Sequence, residues 1–305
     1  MQNSRRIFLK NTALLATTAA VMPHQLLAES KKLQRIVLQL YSVRDDMQKD
    51  TKGTLKKIAD LGYSQVEHAG YNDRKFYGFS VKEFKTILND LDLKMPSGHT
   101  GLNRQHWNTA TNDFTDAWKH TVEDAAELGQ RFVLSPSLGY GVDMTAESVK
   151  PLMDQYNKSG ELCKKYGMKF GYHNHEFEFT SKIGDMPLFD YMLQNTDPAL
   201  VTYQLDMGNM YAVGAKALDY INKYPGRFEL LHVKDAIRVD APADAKPKYE
   251  SCVLGKGEVP LQQILKAAKK VGGTTHLVVE QESYQGLAPI ASVGLDLKMM
   301  KKWGY

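Results

Sequence analysis

The chain has 305 residues, 43% hydrophobic and 24% charged, with 39 basic side chains against 35 acidic ones and two cysteines, Cys163 and Cys252. That length supports one large core, and a formal charge of +4 gives no basic field for nucleic acid or anionic lipid. A domain of this size needs no disulfide framework, and the two cysteines are read as unpaired.

The first thirty residues read as an address. Ser4-Arg5-Arg6-Ile7-Phe8-Leu9-Lys10 carries a twin arginine followed by Phe and Leu. An Ala/Thr/Leu run follows to about Met22, then Leu26-Leu27-Ala28 as a cleavage end. Residues 1–28 resemble a twin-arginine export signal, so the mature protein is expected in the periplasm. The apolar run is too short and too rich in Ala and Thr to span a membrane, and no cysteine near the cleavage end offers a lipid site. No membrane insertion is expected after signal removal. Losing Arg5, Arg6 and Lys10 takes the formal charge from +4 to +1.

Residues 29–305 contain no Pro/Ser-rich linker and no low-complexity tract, and are read as a single domain. Residues 35–40 form the first expected strand, and 54–61 a helix ended by Gly62. Residues 64–68 are the second strand, and Ser80-Val81-Lys82-Glu83 is a capping box opening a helix to about Leu91. Residues 94–99 are strand three, 114–128 a helix ended by Gly129, 132–135 strand four, and 145–166 a helix ended by Gly167. The next strand runs into Tyr172–Phe179, reading YHNHEFEF. Residues 187–194 are expected helical, 201–206 strand six, 214–224 helical, and 228–234 strand seven. Residues 260–271 are a helix ended by Gly272, 275–280 strand eight, and 296–303 the closing helix.

The punctuation decides the architecture. ADLGYSQVE, AELGQRFVL, KKYGMKFGY and KKVGGTTHLVV each repeat helix end, glycine, short apolar strand. Eight such units predict an α/β fold of the (β/α)8 TIM-barrel type. A doubly wound open sheet lacks its Gly-rich phosphate turn after the first strand. The connections 100–113 and 235–258 are long, and both follow strand C-termini, where this barrel builds its active site.

Chemistry-bearing residues gather at those same ends: Glu67, His99, His173 with His175, Asp206, His232 with Lys234, and Glu280 with Glu282. If YHNHEFEF stays extended, His173 and His175 share one face, and Glu176 and Glu178 the other. Taken singly, Asp206 reads as a helix cap, His232 as a core histidine and Glu280 as a solvated strand end. Together they make a nitrogen and oxygen donor set without thiolate, suited to one divalent ion: Mn, Co, Zn or Mg. Lys234 reads either as an acid that steadies an oxyanion or as the ion-pair partner of Asp235.

QLYSVR, YHNHEFEF, QLDMGN, RFELLHVKD and VVEQE, in this order across the chain, resemble the xylose isomerase-like superfamily of sugar isomerases and epimerases. The resemblance implies a (β/α)8 barrel holding one divalent metal, with Asp206, His232 and Glu280 as ligands from strands six to eight. The strand-five ligand of that family is commonly a glutamate where this chain has His173, so either His173 or Glu178 fills that role. The implied chemistry is removal of a proton α to a sugar carbonyl through a metal-stabilised enediolate. His175, Glu178, His99 and Glu67 are base candidates and Lys234 the acid, with Glu67, Asn174 and Asn209 expected at the substrate. The expected partner is a small carbohydrate and not nucleic acid. Relatives of the family include lyases that open 3-keto-glycosides by β-elimination, and a non-catalytic periplasmic carbohydrate-binding barrel is the reading from another class. The fold also resembles a three-zinc DNA-repair endonuclease, but Asn209 stands where that family has a second histidine.

Overall fold

The computed structural model describes residues 35–139, 141–240 and 248–305; the twin-arginine segment lies outside the described residues. Eight strands form the closed barrel: β1 (Arg35–Gln39), β2 (Gln65–His68), β3 (Lys94–His99), β4 (Phe132–Ser135), β5 (Lys169–His173), β6 (Val201–Asp206), β7 (Leu230–Val233) and β8 (His276–Val279). Each pairs in parallel with its sequence neighbour, and β8 closes on β1 with Arg35 opposite His276. Besides shorter helical segments, one principal helix follows each strand: α1 (Thr51–Leu61), α2 (Val81–Asp90), α3 (Asp116–Leu128), α4 (Ala146–Lys165), α5 (Leu188–Gln194), α6 (Ala217–Lys223), α7 (Leu261–Val271) and α8 (Pro289–Lys302).

The helices form where apolar residues recur at helical spacing. In α7, Leu261, Ile264, Leu265 and Ala268 are buried, a single stripe facing the sheet. At α2 the capping box is made: Ser80 accepts from the Glu83 amide, and Glu83 accepts from the Ser80 amide. Gly62 and Gly129 end α1 and α3 at φ 98° and 91°, a conformation that costs a side-chain-bearing residue about 1–2 kcal/mol.

Three layers fill the barrel. At the bottom, Val37, Phe132, Leu134, Leu230 and Val278 form a separate apolar plug. Above it the strand register sets Gln39 beside Glu67 and Glu67 beside Ser97. The top layer holds Asp206 opposite His232. Burying a Val, Leu or Phe contributes roughly 1.5–3 kcal/mol, so the plug carries stability and leaves the upper layers for polar groups.

Several local expectations are corrected. The chain does not stay extended through YHNHEFEF: β5 stops at His173, and Phe177–Thr180 is a single helical turn. The helix expected over 214–224 is α6, and an unforeseen short helix, Met207–Ala212, precedes it. The closing helix begins at Pro289 rather than 296. The connection after β2 carries a three-stranded antiparallel sheet of two-residue strands between Tyr71 and Ser80. Of the two long connections, 100–113 contributes Trp107–Asn108 to a small hairpin with Asp113–Phe114. The other forms the hairpin Asp235–Val239 with Lys248–Cys252. Cys163 lies buried in α4 and Cys252 buried in that hairpin, both as free thiols.

Candidate active site

Four residues from four consecutive strands converge at the C-terminal end of the barrel. Donor atoms of His173, Asp206, His232 and Glu280 all lie within 4.8 Å of one another, and all four side chains are buried. His232 Nδ1 is 3.1 Å from Glu280 Oε2 and 3.7 Å from Asp206 Oδ2, and His173 Nε2 is 4.0 Å from Asp206 Oδ2. A tetrahedral ion with bonds near 2.1 Å separates its ligands by about 3.4 Å, so these spacings fit one ion at the centre. Of the two strand-five alternatives, His173 groups with the other three donors, and Glu178 does not.

The ring orientations support the same reading. Gln204 donates its amide to Glu67 Oε2 at 2.8 Å, which fixes Gln204 Oε1 as an acceptor. That oxygen takes the His173 Nδ1–H at 3.0 Å, leaving Nε2 as the lone-pair nitrogen turned to the centre. His232 donates Nε2–H to Glu67 Oε1 at 2.9 Å, which turns Nδ1 toward Glu280. A second tier that fixes tautomer and ring plane is what a metal-binding imidazole requires. Burial alone would depress His232, but Glu280, Asp206 and Glu67 outweigh it and hold its pKa well above the ordinary value.

Glu67 and Asn174, expected at the substrate, are both fully buried. Glu67 spends its oxygens on Gln39, Ser97, Gln204 and His232, beneath the centre. Asn174 accepts the Asp206 amide at 2.9 Å and receives the Asn209 side chain on its own carbonyl, tying β5 to β6. Glu178, expected among the catalytic groups, turns under the site. It takes the Tyr172 hydroxyl at 2.5 Å and the His175 amide at 2.9 Å, and burial raises its pKa to about 7. It positions His175 and does not itself face the centre. Asp206 is the helix cap, its Oδ1 accepting the Asn209 amide at 2.8 Å, while Oδ2 faces the donor set.

His175 stands at the mouth, edge-on to His173 at 4.9 Å, and burial holds its pKa below the ordinary value. His99 is stacked on His232 at 5.5 Å and bonded to Gln204 at 2.7 Å, so it flanks the centre. Lys234 does not pair with Asp235. Its ammonium lies 2.8 Å from Glu282, 3.0 Å from Glu280, 3.2 Å from Asn209 and 3.5 Å from Asp206. Burial opposes its charge, but Asp206, Glu280 and Glu282 prevail and push its pKa well up. Asn209 bonds Asn174 and Lys234, and lines the cavity beside them. The sequence reading passed over Gln204, Gln39 and Ser97. Gln204 did carry a signal: two residues before Asp206 in a strand, it faces the same way.

Comparison with known proteins agrees with this fold. Residues 55–303 match the family described as xylose isomerase-like TIM barrel. An inosose dehydratase of Clostridium perfringens is 28% identical over 155 residues, 48% of this chain and 51% of that protein. The chain thus spans about half the length of the curated relatives it matches. A crystal structure titled sugar phosphate isomerase/epimerase, from Parabacteroides distasonis, superposes with TM-score 0.74 at 27% identity, covering 88% of this chain and 98% of that one. The structure titled IOLI protein with a binding zinc atom shares the fold, with TM-score 0.66 at 15% identity over 88% of this chain and 97% of that one.

Proposed function

The chain belongs to the xylose isomerase-like TIM barrel family, and on that premise we propose that it is an enzyme that isomerises or epimerises a keto sugar by removing a proton α to the carbonyl. The observation that carries this reading is the buried tetrad of His173, Asp206, His232 and Glu280, with both rings locked from behind by Gln204 and Glu67. A divalent cation held by these four residues would supply Lewis acidity to the substrate carbonyl and so acidify the neighbouring carbon. The structure titled with a binding zinc atom supports a divalent metal on this fold and leaves its identity among Mn, Co, Zn and Mg open.

The chain's own groups do the rest. His175, kept neutral by burial, takes the proton, and Glu178 holds its backbone in place. Lys234 stays charged among three carboxylates and steadies the negative charge that grows on the substrate oxygen. His99, stacked on His232 and bonded to Gln204, flanks the donor set. The second reading, elimination, is favoured by the dehydratase relatives, since loss of a β-hydroxyl or a glycosidic oxygen follows from the same proton removal. We place the protein in the periplasm on the strength of Ser4–Lys10.

Turnover in deuterated water tests the reading. Free ketoses and 3-keto-glycosides should gain deuterium at one carbon. Isomerisation leaves the sugar intact, whereas elimination releases a leaving group and an unsaturated ketone. Chelation should abolish exchange, and His175→Ala should abolish it with metal still bound. Exchange that survives EDTA would sink the metal-dependent reading. No exchange with any keto sugar would leave a carbohydrate-binding barrel in its place.

A further inference from the structure

Beside Lys234 a cavity of about 300 Å³ lies between the helix Met207–Ala212, the hairpin Asp235–Val239/Lys248–Cys252 and the loop after β8. Lys234 lines this cavity and pairs with Asp206 and Glu280 of the donor tetrad, so a single side chain joins the cavity to the centre. Its volume suits one sugar ring. Tyr249, edge-on to Tyr211 at 5.5 Å, offers an apolar surface, and Asn209, Glu176, Glu250 and Glu282 supply polar atoms.

The sign of the walls is informative. Lys234 is the one cationic side chain among the described lining residues, and Asp206, Glu280 and Glu282 already hold it. Among the described residues Glu176 and Glu250 have no ion-pair partner, although Glu250 takes the Ser283 hydroxyl at 2.8 Å. Lys234 and a divalent cation balance Asp206, Glu280 and Glu67, which leaves Glu176, Asp235, Glu250 and Glu282 as surplus negative charge. The nearest helix N-terminus offers no anion site either, because Asp206 already takes the Asn209 amide. Carboxylates accept from sugar hydroxyls. Against a phosphate they set acceptor against acceptor and like charge against like.

We infer that the substrate ring bound in this cavity is uncharged and unphosphorylated. The inference rests on the proposed function and names the substrate class of that site.

The test uses matched pairs: D-fructose, D-tagatose and D-psicose, each with its 6-phosphate, and a neutral inosose. Binding to the metal-loaded protein is measured by saturation-transfer NMR titration at low and moderate salt, and exchange in deuterated water is followed in parallel. Each phosphate should bind at least about tenfold more weakly than its free sugar, and the gap should narrow as salt screens the walls. The Glu176→Gln/Glu250→Gln double variant should narrow the gap at low salt. A phosphorylated sugar that binds as well as its free partner, or a gap unchanged in the double variant, overturns the inference and leaves proton removal standing. Failure of every sugar to bind and to exchange removes the proposed function and the inference with it.

Discussion

Because the Glu67 carboxylate takes the His232 Nε2–H and the Gln204 amide at once, it sets both histidine planes of the tetrad from below. Glu67→Gln keeps the shape but replaces one acceptor by a donor and removes the charge that fixes the His232 tautomer. Metal affinity should fall about 10–100-fold, as is usual when such outer partners are lost. Calorimetric metal titration checks this, and an unchanged affinity would mean the tier is structural only. Asp296 in α8 tests a different kind of buried carboxylate. Oδ1 takes the Leu254 amide at 2.8 Å, Oδ2 has no partner among the described residues, and burial, reinforced by Asp235, pushes its pKa to about 7. A folded pKa above the unfolded one means this group's stability is full below about pH 4 and lost as pH rises through 7. The ceiling is roughly 4 kcal/mol at 1.36 per unit. Asp296→Asn keeps the acceptor without the charge, so it should raise Tm at pH 8 and change it little near pH 4. Equal melting curves at pH 8 would show that the carboxylate carries no such penalty.

Among the elements, the helix Met207–Ala212 comes nearest the chemistry. An ideal Cβ on Gly208 would sit 2.8 Å from Lys234 Cγ and 3.0 Å from its Cβ and Cδ, so only glycine lets this helix lie against the lysine. Gly208→Ala should therefore displace Lys234 and lower kcat by about tenfold or more, while overpacking costs about 1–3 kcal/mol of stability. A wild-type kcat would mean that Lys234 is not needed where it stands. This helix escaped the sequence reading because six residues directly after a strand show no period. The turn at Phe177 escaped for the same reason, and with it the fold-back of Glu178. The strands and long helices were legible because their apolar spacing persists over several residues and a glycine or a capping box marks their ends. Gln39, Ser97 and Gln204 were not, since a single polar residue inside an apolar strand acquires meaning only through register.

At the level of the whole molecule, an apolar plug fills the lower barrel and polar donors gather at the strand ends, which is why the convergence of Asp206, His232 and Glu280 could be read from strand boundaries. The proposed export makes its own demand. Replacing Arg5 and Arg6 by Lys should retain the precursor in the cytoplasm, because ammonium groups imitate a planar guanidinium pair poorly. Cell fractionation decides it, and an undiminished periplasmic yield rejects the twin-arginine route.

Asp235 adds a last consequence. Its carboxylate accepts four backbone amides, those of Ala236, Gly255, Gly257 and Val259, and so clasps both feet of the hairpin that walls the cavity beside Lys234. Beyond Ala236 and Ser251, the described residues of the two arms bury no side chain. Natural variation or grafting can therefore rewrite the arms, and with them the lining of the cavity, at little risk to folding, while the barrel below keeps the donor tetrad in place.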